Sequence, residues 1–267
     1  MDELNIYCMS INNSNLNAIK SLNYIPAGLS NDNFSKEWVR DNAGDNISNK
    51  NSYYGEYTFY YWYWKNLLQN KKNNKWVGFC SYREYWGNNV NCNSNNLKDL
   101  VLQKFYPEWT NYETIIGKPL FVSGAKIMKI IKYGKMALIK NPKAIFSKKG
   151  RTIKWQFDMF HGVNKLDKAI DLLPEKDREE FRIYTRTETS FARGNMFITK
   201  SSKIMNEYFD YIFKWLSKCE NVFGFNLKGY SQIRMYTYIA ERFLPFWFKK
   251  YTKYLEWPVI YYDINKK

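Results

Sequence analysis

From Glu56 to Leu68 the chain reads EYTFYYWYWKNLL, and at helical spacing its aromatic rings point to every side. A helix of that kind has no face to give to water. It must be buried, so the fold needs a core large enough to surround it. A chain of 267 residues, 45% hydrophobic and 19% aromatic, can build one. That length permits one large core or two small ones, and no repeat or low-complexity linker divides it, so a single domain over residues 1–267 is expected. The aromatic stretch from Tyr57 to Trp64 is about half of the roughly 20 apolar residues that cross a bilayer. The opening MDELNIYCMSINN lacks the basic-then-apolar order of a secretory signal. A cytoplasmic location is expected.

Short apolar runs alternate with helical patterns, which predicts an α/β fold. Leu4 to Ile11 reads as a first buried strand, Trp76 to Cys80 as a central strand and Asn195 to Thr199 as another. Asn88 to Asn96 reads as a loop, and Leu166 to Leu173 as a short helix that Pro174 closes while starting the next. Ile204, Tyr208, Tyr211, Ile212, Trp215 and Cys219 recur at helical spacing behind a cap at Ser201 or Ser202. A last helix is predicted from Tyr230 to about Leu244, ended by Pro245. One of its faces carries Arg234, Tyr238, Glu241 and Arg242, a stripe that either lines a cleft or forms a surface row of ion pairs.

Cys8, Cys80, Cys92 and Cys219 lie far apart with no C-x-x-C pair and a single histidine in the chain, so buried free thiols are expected. The net charge of +16 is concentrated. Lys126 to Lys154 holds ten basic residues and no acidic one, leaving 31 of the 41 basic residues against 25 acidic ones elsewhere. Such a block attracts a sugar-nucleotide phosphate, the anionic inner face of a membrane with a lipid-linked acceptor, or nucleic acid, and it is equally what a solvated lysine-rich face looks like. No recognised nucleic-acid-binding motif accompanies it.

The phosphate-cradling glycine loops, the H-E-x-x-H zinc helix, the G-x-S-x-G elbow and the D-x-D carboxylate pair are all missing. What is present is RDNAGDNISNKNSYYGEYTFYYWYWKN, then WVGFCSYREYW, WQFDMFHGVNKLDKAIDLL, GNMFITK and YSQIRMYTYIAERFLPFWF. In this order they resemble a capsular-polysaccharide-type glycosyltransferase family catalogued as a domain of unknown function. That family carries R-D-x-x-G-D-N-I-S-x-K-N, a Trp-rich helix ending W-K-N, G-x-C-H-Y-R-R-Y-F, N-M-F-I-x-K and F-L-A-E-R-F. The resemblance implies a GT-A-like, nucleotide-diphospho-sugar transferase fold, with a mixed sheet flanked by helices. It also implies transfer of a hexosyl unit from a nucleotide-sugar donor to a surface or capsular polysaccharide, or to a lipid-linked glycan. Ser81 stands where the family has histidine and Glu84 where it has a second arginine, so no role of that histidine carries over.

Transfer requires that the leaving diphosphate be neutralised and that an acceptor hydroxyl lose its proton. Ligands of open α/β sheets bind beyond the carboxyl ends of strands, which selects Tyr82 and Arg83, with Asn195 and Arg242 from the later blocks, as donor-binding residues. Asp41, Asp45, Asn46 and Ser48 are candidates for bonding donor hydroxyls, or for making turns among themselves. His161, Glu241 and Glu56 are the candidates for proton transfer, Glu56 being equally suited to cap its helix. A divalent ion, Mn2+ or Mg2+, held by Asp41, Asp45 or Glu84 is the rival to Arg83. A non-catalytic sugar-nucleotide-binding scaffold and a basic nucleic-acid-binding protein are the alternative functions.

Overall fold

The computed structural model describes residues 3–30, 33–68, 75–88, 96–122 and 150–265. They form two compact units, each assembled from separated segments. The first takes Met1–Lys118, Gly194–Tyr211 and Trp247–Lys267; the second takes Pro119–Arg193 and Ile212–Phe246. Of the four points at which the chain passes from one unit to the other, two fall inside the helices Ser202–Phe223 and Met235–Tyr251, where the sequence carries no linker signal.

The first unit is built on a mixed sheet. Its strands are β1 (Leu4–Ser10), β2 (Ile25–Gly28), β3 (Val39–Arg40), β4 (Trp76–Ser81), β5 (Glu84–Trp86), β6 (Thr114–Gly117), β9 (Phe197–Thr199), β10 (Tyr254–Trp257) and β11 (Val259–Tyr261). The order is β10-β6-β9-β4-β1-β2-β3, with β5 bridging β4 to β11. β1 pairs in parallel with β2 and β4, β2 with β3, and β6 with β10, while β9 runs against both β4 and β6. Six of the seven strands in this row therefore share one direction and bring their carboxyl ends to one edge.

Register explains the burial. Tyr7 stands opposite Phe79, and Cys8 opposite Cys80. Because side chains alternate faces, Ile6, Cys8, Trp76 and Cys80 enter a core with Trp86, Trp109 and Trp257, while Tyr7 and Phe79 turn to the opposite face. On that second face lies the aromatic helix α3 (Tyr57–Trp62), whose Phe59 and Tyr60 pack on Tyr7 and Phe79. Tyr57, Phe59, Tyr60 and Tyr63 are fully buried, as an all-round aromatic helix demands. From Tyr63 to Leu67 it loosens into one π turn. Cys8, Cys80 and Cys219 are buried free thiols; Cys92 lies outside the described residues.

The second unit contains, in chain order, helices at Ile153–His161, Lys165–Ile170 and Glu175–Thr187, and a small ribbon of β7 (Leu120–Phe121) with β8 (Ser190–Phe191). Pro174 starts the third of these helices, as expected. The helix Ser202–Phe223 begins behind Ser201, whose Oγ accepts from the Ile204 amide at 3.2 Å.

The last predicted helix differs from its expectation at both ends. It is two pieces, Tyr230–Ile233 and Met235–Tyr251. The break falls where His161 Nδ1 bonds the Ser231 carbonyl at 2.7 Å, the acceptor that the Met235 amide would use in an unbroken helix. Pro245 does not end the second piece. An interior proline costs about 3 kcal/mol, and the burial of Phe246, Trp247 and Phe248, about 1.5–3 kcal/mol for each ring, outweighs it.

Candidate functional site

At the carboxyl edge of the first unit, three groups of sequence-predicted residues gather. The first is the tight connection from β4 to β5. Tyr82 is buried, Arg83 is exposed, and the guanidinium lies 4.8 Å over the Tyr82 ring. Arg83 Nε is paired with Asp263 Oδ2 at 3.4 Å.

The second group is the turn into β9. Gly194 (φ +84°) and Asn195 (φ +52°) both occupy the left-handed region, which glycine enters freely and asparagine more readily than other residues with a side chain. Asn195 Nδ2 donates to Glu56 Oε1 at 2.8 Å, and the Tyr60 hydroxyl donates to the Asn195 carbonyl. A β-carbon on Gly194 would sit 2.0 Å from Glu84 Oε2 and displace that carboxylate, and the φ of +84° disfavours any other residue there. Asn195 is 1% exposed and its Oδ1 has no hydrogen-bond partner among the described residues. Glu56 occupies the position preceding α3 but makes no capping bond; its carboxylate goes to Asn195 instead.

The third group is the loop after β3. Asn46 Oδ1 accepts from the Ser48 amide and hydroxyl, and Asn46 Nδ2 donates to the Gly44 carbonyl at 2.9 Å. Asn66, in the π turn, receives the Asp45 amide and donates to the Asp45 and Trp62 carbonyls. Asp45 Oδ1 accepts from the Tyr61 hydroxyl at 3.2 Å. Asp41 is fully buried, with Oδ2 on the Thr58 hydroxyl at 2.5 Å. Burial pushes its carboxyl up to about 6, against the opposing pull of the Thr58 bond and Arg40. These bonds are the turn chemistry that the sequence offered beside ligand binding.

His161, Glu241 and Arg242 belong to the second unit and form a cluster there. Arg242 is buried and donates to Glu241, to the Tyr238 carbonyl at 3.2 Å and to Gln156 Oε1 at 3.0 Å. Phe191, Phe157 and Tyr238 surround its guanidinium at 4.8, 5.6 and 5.8 Å. The stripe it belongs to is therefore no surface row. His161 stacks on Tyr238 with centroids 4.0 Å apart. Since a carbonyl can only accept, the bond to Ser231 fixes the proton on Nδ1 and makes Nε2 the acceptor nitrogen. Burial, and then the Arg242 charge, lower the imidazole to about 3. Of the basic segment, Arg151 and Lys154 fall in described residues, with Lys154 spent on Asp158 at 2.6 Å and Asp167 at 2.9 Å; Lys126 to Lys149 and most of the Asn88 to Asn96 loop lie outside them.

Among the described residues no three or more His, Cys, Asp or Glu side chains converge, and Asp41 Oδ2 accepts from the Thr58 hydroxyl. Sequence reasoning missed Asp263, Gly194 and Gln156. Asp263 is the lone acid after Glu256, which is a faint signal; Gln156 stood inside the WQFDMFHG block.

A family model described as a domain of unknown function, DUF4422, matches residues 5–253. The chain belongs to this family. Among solved structures, the WbbM bifunctional glycosyltransferase in its apo form aligns with a TM-score of 0.64 at 17% identity, over 97% of this chain and 45% of that one. This DUF4422 chain thus shares a mixed α/β fold with that protein and spans less than half of its length. No curated protein matches the chain. No helix among the described residues is long and apolar enough to cross a membrane.

Proposed function

We propose that this DUF4422 protein is a glycosyltransferase of GT-A-like fold that moves a sugar from a nucleotide donor to a surface-polysaccharide or lipid-linked glycan acceptor. The observation that carries the reading is the exposed Arg83 at the carboxyl edge of parallel strands, beside the left-handed turn Gly194–Asn195 that Glu56 bonds and Glu84 lies against. The fold shared with a glycosyltransferase and the order of the motif blocks support it.

In this reading Arg83 takes the donor diphosphate with charge-assisted bonds. The bond from the anomeric carbon to the diphosphate oxygen breaks, and its electron pair leaves with the diphosphate, whose charge the guanidinium offsets. The acceptor oxygen bonds to the anomeric carbon, and its proton passes to a carboxylate. Glu56, oriented by Asn195, suits that role better than His161 or Glu241. An imidazole titrating at about 3 is a weak proton acceptor near neutrality, and Glu241 is bound to Arg242. His161 and Arg242 shape the second unit instead.

The test is nucleotide release from UDP-, GDP-, CDP- and dTDP-sugars, each with manganese or EDTA. One donor is expected to be turned over and to raise the melting temperature, with turnover persisting in EDTA. Arg83→Ala is expected to lower kcat/KM by about 100- to 1,000-fold, the loss typical of one charge-stabilising donor. Donor binding without turnover would favour the scaffold reading; if no donor binds in either condition, the transferase reading fails and the nucleic-acid reading takes its place.

A further inference from the structure

Arg83 is exposed, yet one end of it is fixed. Its side chain is 47% accessible, whereas that of its partner Asp263 is 7% accessible. A half-exposed ion pair ordinarily holds a long side chain only loosely. Here the carboxylate is anchored on its own account. Asp263 Oδ1 accepts from the Asn265 amide at 3.1 Å, leaving Oδ2 for Arg83 Nε. The backbone around the pair is locked as well: β11 runs antiparallel to β5 with Tyr261 opposite Glu84, and the Tyr262 amide donates to the Arg83 carbonyl at 3.0 Å. The Tyr82 ring bounds the guanidinium on one face. Among the described residues no hydrogen bond engages Arg83 Nη1 or Nη2. An arginine whose Nε faces a carboxylate and whose two terminal nitrogens make no hydrogen bond is prepared for one kind of guest, an oxyanion taken by two parallel N–H bonds.

We propose that Asp263, two residues past the end of β11, is the positioning residue that presents Arg83 to the diphosphate of a nucleoside-diphosphate donor. Asp263 touches no substrate in this scheme; it reduces the freedom that Arg83 would otherwise lose on binding. The inference rests on Arg83 being the diphosphate ligand. Asp263 lies beyond the residues matched by the family model, so the family comparison gives it no role.

The experiment titrates full-length wild type, Arg83→Ala, Asp263→Asn and Asp263→Glu with UDP, GDP, CDP and dTDP by calorimetry, with the corresponding nucleosides as controls. For the nucleotide that binds, Asp263→Asn is expected to weaken affinity about tenfold, as loss of an orienting partner does at comparable sites. Asp263→Glu is expected to restore part of it, and affinity for the bare nucleoside is expected to stay constant. In turnover, Asp263→Asn should raise the donor KM while kcat changes by less than about threefold. Weakening by Arg83→Ala but not by Asp263→Asn overturns the positioning role and leaves the diphosphate reading standing. Unchanged binding in Arg83→Ala overturns both. Equal loss of nucleoside and nucleoside-diphosphate affinity in Asp263→Asn assigns Asp263 to the integrity of the strand, which also overturns the proposal. If Asp263→Asn fails to fold, Asp263→Glu alone decides: it keeps the charge but moves the carboxylate, so an affinity loss confined to diphosphates supports positioning and none refutes it.

Discussion

Arg83 and Arg242 carry the same guanidinium into opposite circumstances. Arg83 is half exposed, with one carboxylate partner and one ring. Arg242 is 4% exposed, with a carboxylate, an amide oxygen and a carbonyl as acceptors and three rings around it. A buried charge must be compensated or it destabilises the fold, so both terminal nitrogens of Arg242 already have acceptors within the protein. An exposed charge is solvated already and has donors to exchange. Two arginines that look alike in a sequence motif are thereby separated into one that holds the fold and one that is on offer.

The sharpest way to break this contrast is Arg242→Ala. It leaves Glu241 half-buried without its cation and empties a space among three rings, and it is expected to lower unfolding free energy by about 3–5 kcal/mol in urea denaturation. Arg83→Ala is expected to lower it by about 1 kcal/mol or less, because a half-exposed pair is screened by water. Equal losses would erase the distinction.

A second pair sharpens the comparison by pH. In both units burial is the largest cause of a titration shift, but the signs differ because one group is charged when deprotonated and the other when protonated. His161 is lowered to about 3, below its unfolded value near 6.5. Its contribution is whole above pH 6.5 and is lost as pH falls through that window, an effect on the order of 2–4 kcal/mol. His161→Gln should flatten the fall in stability between pH 7 and pH 4. Asp41 is raised to about 6 from 3.8, so its contribution is whole below pH 4 and is lost as pH rises toward 6. Asp41→Asn should therefore stabilise the protein at pH 8 by about 1–2 kcal/mol and leave it nearly unchanged at pH 4. Melting curves at pH 4, 6 and 8 check both signs.

How much of this was legible depends on how local the physics is. The strands at Leu4, Trp76 and Phe197 and the buried aromatic helix could be read because alternation and all-round aromaticity are properties of adjacent residues. The antiparallel entry of β9 between β4 and β6 could not, since nothing near Phe197 records its neighbours 80 and 120 positions earlier in the chain. Pro245 misled because the rule for an isolated helix is overridden by rings that only the tertiary fold buries. At the site, Tyr82 and Arg83 were found from their place after a strand, but Asp263 reaches Arg83 across 180 residues and leaves no pattern. His161 was noticed for its chemistry; that burial would depress its proton affinity was a property of its surroundings, which the sequence does not spell out.

Gly44 shows what such close fitting means for the mutability of the chain. Its φ is +63°, and a β-carbon there would stand 2.2 Å from Asn66 Oδ1, the atom that receives the Asp45 amide. Every other amino acid carries a β-carbon, so no codon change away from glycine is mild at this position. The loop bearing Asp41, Asp45, Asn46 and Ser48 can vary in the chemistry of its side chains while its path over the π turn is fixed by the one residue that has none.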